Sequence, residues 1–190
     1  MQHDGMIRPE RRRLLRGALG VGLCAGLARA VQAAGADPAK QPAQPGDELA
    51  FASYENDGRI VTPADLVAGA APLLVYPRDP ASGVVRERSR LNQILLLRLA
   101  ADDAPGADAT DDGVLAFSGV CTHAACGVSE WNAQTRHFVC PCHASEYDPR
   151  QQAKVVAGPA PRALPRLPLA RRDDRYVVAG PFSGAIGAQV

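Results

Sequence analysis

Apolar residues in this chain come in short runs broken by glycine, proline and aspartate, and rarely at the three-and-four spacing of an amphipathic helix. β-prone runs fall at residues 49–54, 73–76, 93–99, 114–120, 137–139, 154–157 and 175–179. Asp173 and Asp174 stand between 167–169 and 176–178, where a hairpin turn belongs. Residues 63–68, opening on Pro63, are the one place where a helical turn is expected. Residues 102–112, rich in Asp, Ala, Gly and Pro, read as an exposed loop, and no internal repeat is present. The pattern predicts an all-β chain, an antiparallel β-sandwich with one inserted loop region.

The start of the chain follows a different logic. Arg11, Arg12, Arg13, Leu14, Leu15 and Arg16 lead into an uncharged apolar stretch at 17–28, closed by Arg29. A basic segment, a short apolar segment and small residues make an export signal. The order of Arg11, Arg12, Leu14, Leu15 and Arg16 resembles the twin-arginine type, which implies the twin-arginine translocase as a partner during export. The apolar stretch is shorter than the roughly 20 residues a membrane-crossing helix needs, so cleavage after Val31-Gln32-Ala33 is expected. Residues 35–47, with Gly35, Pro38, Pro42, Pro45 and Gly46, read as a linker.

Composition then narrows the function. A length of 190 residues suits one domain plus a tail, and 46% hydrophobic with 22% charged residues excludes a wholly disordered chain. The formal charge of +1, from 21 basic and 20 acidic residues, excludes a general nucleic-acid binder. Residues 1–33 hold six arginines, Asp4 and Glu10, so without them 15 basic residues face 18 acidic ones and the net charge is −3. Of five cysteines, Cys24 lies in the signal and four fall within the 22 residues from Cys121 to Cys142.

Those four form two elements. Cys121-Thr122-His123 is followed by Cys126, and Cys140-Pro141-Cys142-His143 comes later. Two cysteines and two histidines from a pair of loops can hold zinc tetrahedrally, or a two-iron, two-sulfur cluster with two thiolates on one iron and two imidazoles on the other. In the second case Cys121 and Cys140 take one iron, His123 and His143 the other.

The pattern resembles the Rieske proteins, and the likeness runs over about residues 114–166. In that family each cluster loop carries an extra cysteine and the two form a disulfide, which implies a Cys126–Cys142 bond and an oxidising compartment. Ser145 and Tyr147, in the run Ser145-Glu146-Tyr147-Asp148, match the residues that donate hydrogen bonds to a cluster sulfide and to the first ligand sulfur. Gly158-Pro159-Ala160-Pro161 matches the proline loop over the cluster. The resemblance therefore implies one [2Fe–2S] cluster per chain, a cluster-binding subdomain at about 118–162 within a Rieske domain at 48–190, a signal at 1–34, and no stand-alone catalysis. It implies single-electron transfer with a potential toward the upper part of roughly −150 to +300 mV. His143 corresponds to the imidazole that contacts quinol or a redox partner.

Rieske proteins with this disulfide serve in quinol–cytochrome c reductases and in arsenite oxidase. The expected partner is thus a cytochrome, a molybdenum enzyme subunit or quinol, met in the periplasm. The alternative is a subunit anchored in the inner membrane with a periplasmic head. Ala124 and Ala125 depart from the leucine and glycine usual in the first group, and this reduces the apolar lid beside the first histidine. Ring-oxygenase Rieske proteins lack the disulfide and the Ser-x-Tyr pair. Trp131 reads as packing, His137 as a polar strand residue, and Arg171 and Arg172 beside Asp173 and Asp174 as a solvated hairpin.

Overall fold

Ile94–Arg98 and Val114–Ser118 are apolar at almost every position, and a strand buried on both faces needs such a run. In the computed structural model, which describes residues 37–103 and 109–189, they are strands β3 and β4 of a six-stranded antiparallel sheet. The others are β1 (Glu48–Ala50), β2 (Leu73–Arg78), β9 (Leu169–Arg172) and β10 (Arg175–Val178), in the order β4-β3-β2-β1-β10-β9. A second antiparallel sheet holds β5 (Glu130–Asn132), β6 (His137–Cys140), β7 (Ser145–Asp148) and β8 (Lys154–Ala157) in sequence order. The export signal expected at 1–34 lies outside the described residues. No helix among the described residues is long and apolar enough to cross a membrane.

The β3–β4 ladder sorts its side chains between two cores, because successive residues of a strand point to opposite faces. Ile94, Leu96, Val114 and Ala116 join Leu49, Val61, Val75, Leu167 and Tyr176 in the core of the large sheet. Leu95, Leu97, Leu115 and Phe117 meet Val128, Phe138, Cys140 and Tyr147 from the smaller sheet and its loops. Phe117 and Phe138 touch edge to face with centroids 5.8 Å apart. The chemistry-bearing loops are thus seated on a wall whose own strands belong to the larger core.

Several elements differ from the pattern-based expectation. The run at 49–54 stops as a strand at Ala50 and turns into a short helix, α1 (Ser53–Asn56). Glu87 accepts the Ser53 amide at 2.7 Å, and Asp57 closes the turn at φ 51°. The helical turn expected at 63–68 is a single 3₁₀ turn, Pro63–Asp65. Asp65 holds it by accepting the Thr62 amide at 2.8 Å and hydroxyl at 2.9 Å, together with Arg59 at 2.7 Å. Hydrogen bonding from Arg59 first, then from Thr62, lowers the Asp65 carboxyl to about 2. The hairpin at Asp173-Asp174 pairs Arg172 with Arg175. Of the loop at 102–112, residues 104–108 lie outside the described residues; its end is fixed where Asp112 accepts the Tyr176 hydroxyl at 2.7 Å.

Residues 37–47 lie against the domain through one buried cation. Arg86 makes a two-pronged pair with Asp47, Nε to Oδ2 at 2.8 Å and Nη2 to Oδ1 at 3.1 Å. Its remaining nitrogen reaches Gln41 Oε1 at 2.9 Å and the Pro38 carbonyl at 3.2 Å. Asn92 adds a bond to the Gln41 carbonyl at 2.6 Å. Both charges are 4% exposed, and burial is tolerable because the guanidinium is met on every side.

Candidate metal centre

Three loops meet at one end of the smaller sheet. The first, residues 119–129, joins β4 to β5 and carries Cys121, His123 and Cys126. It folds back on itself: Cys121 donates its amide to the Cys126 carbonyl at 2.8 Å, and Ala125, at φ 55°, donates to the Cys121 carbonyl at 3.0 Å. The second turns from β6 to β7 and presents Cys140, Cys142, His143 and Ser145. A disulfide between Cys126 and Cys142 ties the two loops.

The third loop, 158–162, covers the second. Gly158 sits at φ 80°, and a Cβ there would stand 2.4 Å from Ser145 Cα, so only glycine permits this approach. Ala160 donates its amide to Ser145 Oγ at 3.2 Å. The same loop reaches the first one where Thr122 donates its hydroxyl to the Arg162 carbonyl at 2.7 Å.

Within this frame the four residues expected as ligands divide by depth. Cys121 and Cys140 are free thiols, each 1% exposed. His143 is exposed and His123 half-buried, with their Nδ1 atoms 3.2 Å apart and rings perpendicular. Facing Nδ1 atoms leave both Nε2 edges directed away from the pair. Burial raises the Cys121 thiol, but hydrogen bonds from the Tyr147 hydroxyl and the His123 amide outweigh it and hold the group below its usual value. Cys140 moves the other way, chiefly through burial.

The two expected hydrogen-bond donors, Ser145 and Tyr147, are fully buried. Tyr147 Oη lies 3.1 Å from Cys121 Sγ and accepts the Thr122 amide at 3.3 Å. Burial first, and then the Cys121 contact, raise the Tyr147 phenol, so it keeps its proton. Ser145 Oγ accepts from Ala160, which leaves its own proton for another acceptor.

The donor set can be tested against a single ion. Tetrahedral zinc with bonds of about 2.0–2.3 Å needs its ligand atoms within about 4 Å of one another. Among the described residues, the one trio of such atoms within 4.8 Å of one another is Cys126, Cys140 and Cys142, and two of those are joined in the disulfide. Neither histidine closes a trio with Cys121 and Cys140. Two buried thiols on one side and two imidazoles on the other suit a group with two metal atoms between them, as a [2Fe–2S] cluster has.

Outside this end, Trp131 rests on Phe138 with centroids 5.7 Å apart. His137 has more partners than a solvated strand residue: Nδ1 meets Glu146 at 3.0 Å, and Arg150 lies 3.4 Å from Nε2. Thr122, Arg90 and the residues at 185–187 also contact these loops, and no sequence motif marks them. Thr122 stands between two expected ligands, and that position was the one available signal.

Comparison with known proteins agrees with this geometry. Residues 76–168 match the Rieske [2Fe-2S] domain. A putative respiratory nitrate reductase Rieske subunit of Haloferax mediterranei is 37% identical over 137 residues, 70% of this chain and 58% of that protein. A cytochrome bc1 complex Rieske iron-sulfur subunit of Corynebacterium glutamicum is 34% identical over 154 residues, 74% of this chain and 36% of that protein. This chain thus spans 58% and 36% of the length of these two relatives. The solved cyanobacterial plasma membrane Rieske protein of Synechocystis PCC 6803 is similar at 26% identity and a TM-score of 0.41, over 62% of this chain and 93% of that one.

Proposed function

The chain belongs to the Rieske [2Fe-2S] proteins, and from that premise we propose that it is an exported one-electron carrier, the iron-sulfur subunit of a periplasmic respiratory system. A bound [2Fe–2S] cluster supplies a one-electron couple and, with its ligand positions filled, offers no place for substrate to coordinate. Cys121 and Cys140 would hold one iron and His123 and His143 the other. Tyr147 would donate to the Cys121 sulfur and Ser145 to a cluster sulfide, which would favour the reduced state and raise the potential. The loop at 158–162 keeps water off the buried side. His143 presents its outer edge to the donor or acceptor, a quinol, a cytochrome or a molybdenum enzyme subunit.

The observation that carries this reading is the separation by depth: buried thiols behind, exposed imidazole in front. It gives a redox group an insulated side and one accessible edge. Potentiometric titration followed by EPR tests it. A single one-electron step in the upper half of about −150 to +300 mV supports the reading, and the absence of a reversible step refutes it.

A second reading is a membrane-retained subunit of a quinol–cytochrome c reductase, favoured by the likeness to the cytochrome bc1 subunit. Release by osmotic shock, with an N-terminus near Ala34, supports the exported carrier and twin-arginine cleavage. A need for detergent supports the second.

A further inference from the structure

The end of the chain lies on the first cluster loop, and one side chain holds it there. Arg162 donates from Nη1 to the Ala185 carbonyl at 2.6 Å and from Nη2 to the Gly187 carbonyl. Gly187 is buried at φ 72°, and a Cβ there would stand 3.3 Å from Val120 Cγ1 and 3.4 Å from Ala125 Cβ. Ser183 fixes the start of this tail by donating its amide to the Arg166 carbonyl at 2.8 Å. Arg90 donates to the Ala125 carbonyl of the same loop at 2.9 Å. The loop carrying Ala124 and Ala125 is thus held by Arg90 and by the tail.

Arg162 is also where the three loops meet. Its carbonyl receives the Thr122 hydroxyl, and Thr122 in turn donates its amide to Tyr147, the donor to Cys121. Its loop covers Ser145 through Gly158 and Ala160. A shift of Arg162 therefore reaches the hydroxyls of Tyr147, through Thr122, and of Ser145, through its own loop.

We propose that Arg162 is a positioning residue which, by clamping the tail at 185–187 onto the first loop, sets the closure of all three loops around the cluster and so its potential and retention. The inference rests on the electron-carrier reading. The test compares the loaded full-length protein with Arg162→Met, Arg162→Lys and a chain ending at Gly184, by redox titration, iron release to a chelator and thermal unfolding. Arg162→Met and the shortened chain each lower the potential and release iron about tenfold faster, as loss of the two hydrogen bonds to Ala185 and Gly187, partly made up by water, implies. Combining them adds little to either alone, since both remove the same contact, and Arg162→Lys falls between. Should Arg162→Met fail to load, the lysine variant and the shortened chain carry the same comparison. Unchanged potentials and release rates, with only the unfolding temperature moved, overturn the proposal. So does a shortened chain that behaves as wild type. A wild-type chain that binds no cluster overturns the electron-carrier reading instead, before any variant is compared.

Discussion

Tyr147→Phe removes one oxygen from the centre and leaves the ring. The ring is fully buried between the sheets, so no cavity opens and the core it shares with Phe138 and Cys121 persists. What is lost is the hydroxyl 3.1 Å from Cys121 Sγ. A hydrogen bond to a charged group is worth about 1.5–3 kcal/mol, and roughly half of that distinguishes the more negative reduced state from the oxidised one. That half, about 0.75–1.5 kcal/mol, corresponds to a fall of about 30–65 mV for a one-electron couple, at 59 mV per tenfold change. The Thr122 amide loses its acceptor as well, which costs about 1 kcal/mol of stability without touching the couple. Redox titration by circular dichroism or EPR, on samples with matched iron content, reads the shift directly. A fully loaded Phe variant within about 10 mV of wild type would mean that the phenol donates elsewhere and that the account of the raised potential is wrong.

Three further outcomes follow from other parts of the structure. Replacing Cys126 and Cys142 by serine, 16 residues apart in sequence, releases the two loops and costs about 3 kcal/mol, seen as a lower unfolding midpoint and faster iron loss. Asp47→Ala strands the buried Arg86 charge and costs about 3–5 kcal/mol in denaturant unfolding, with the potential of the loaded protein unchanged. Asp65 has its carboxyl lowered to about 2 from 3.8, so its contribution is complete above about pH 4 and is lost as pH falls through 2; Asp65→Asn removes that segment of the stability–pH curve.

The two Cys-His pairs were legible because metal chemistry demands particular side chains at close spacing, and that demand is local. The runs of β3 and β4 were legible because burial on both faces leaves a polar residue only at each strand's end, Arg98 and Ser118. β5 and β7 were not, since three or four residues such as Ser145–Asp148 show no alternation to read. The stop at Ala50 depends on Glu87, far away in sequence, and the placement of 37–47 depends on Arg86. An arginine in an extended run carries no mark of the carboxylate it will meet. Arg162 and Gly187 escaped for the same reason: their roles exist only after the tail and the first cluster loop are brought together.

The most direct test of the central claim is the ligand set. Iron and acid-labile sulfide should each be found at two per chain, and pulsed EPR of the reduced protein should show couplings from two imidazole nitrogens. His123→Ala and His143→Ala should each abolish that signal. A colourless protein with one zinc per chain, or nitrogen couplings that survive both substitutions, would contradict the account.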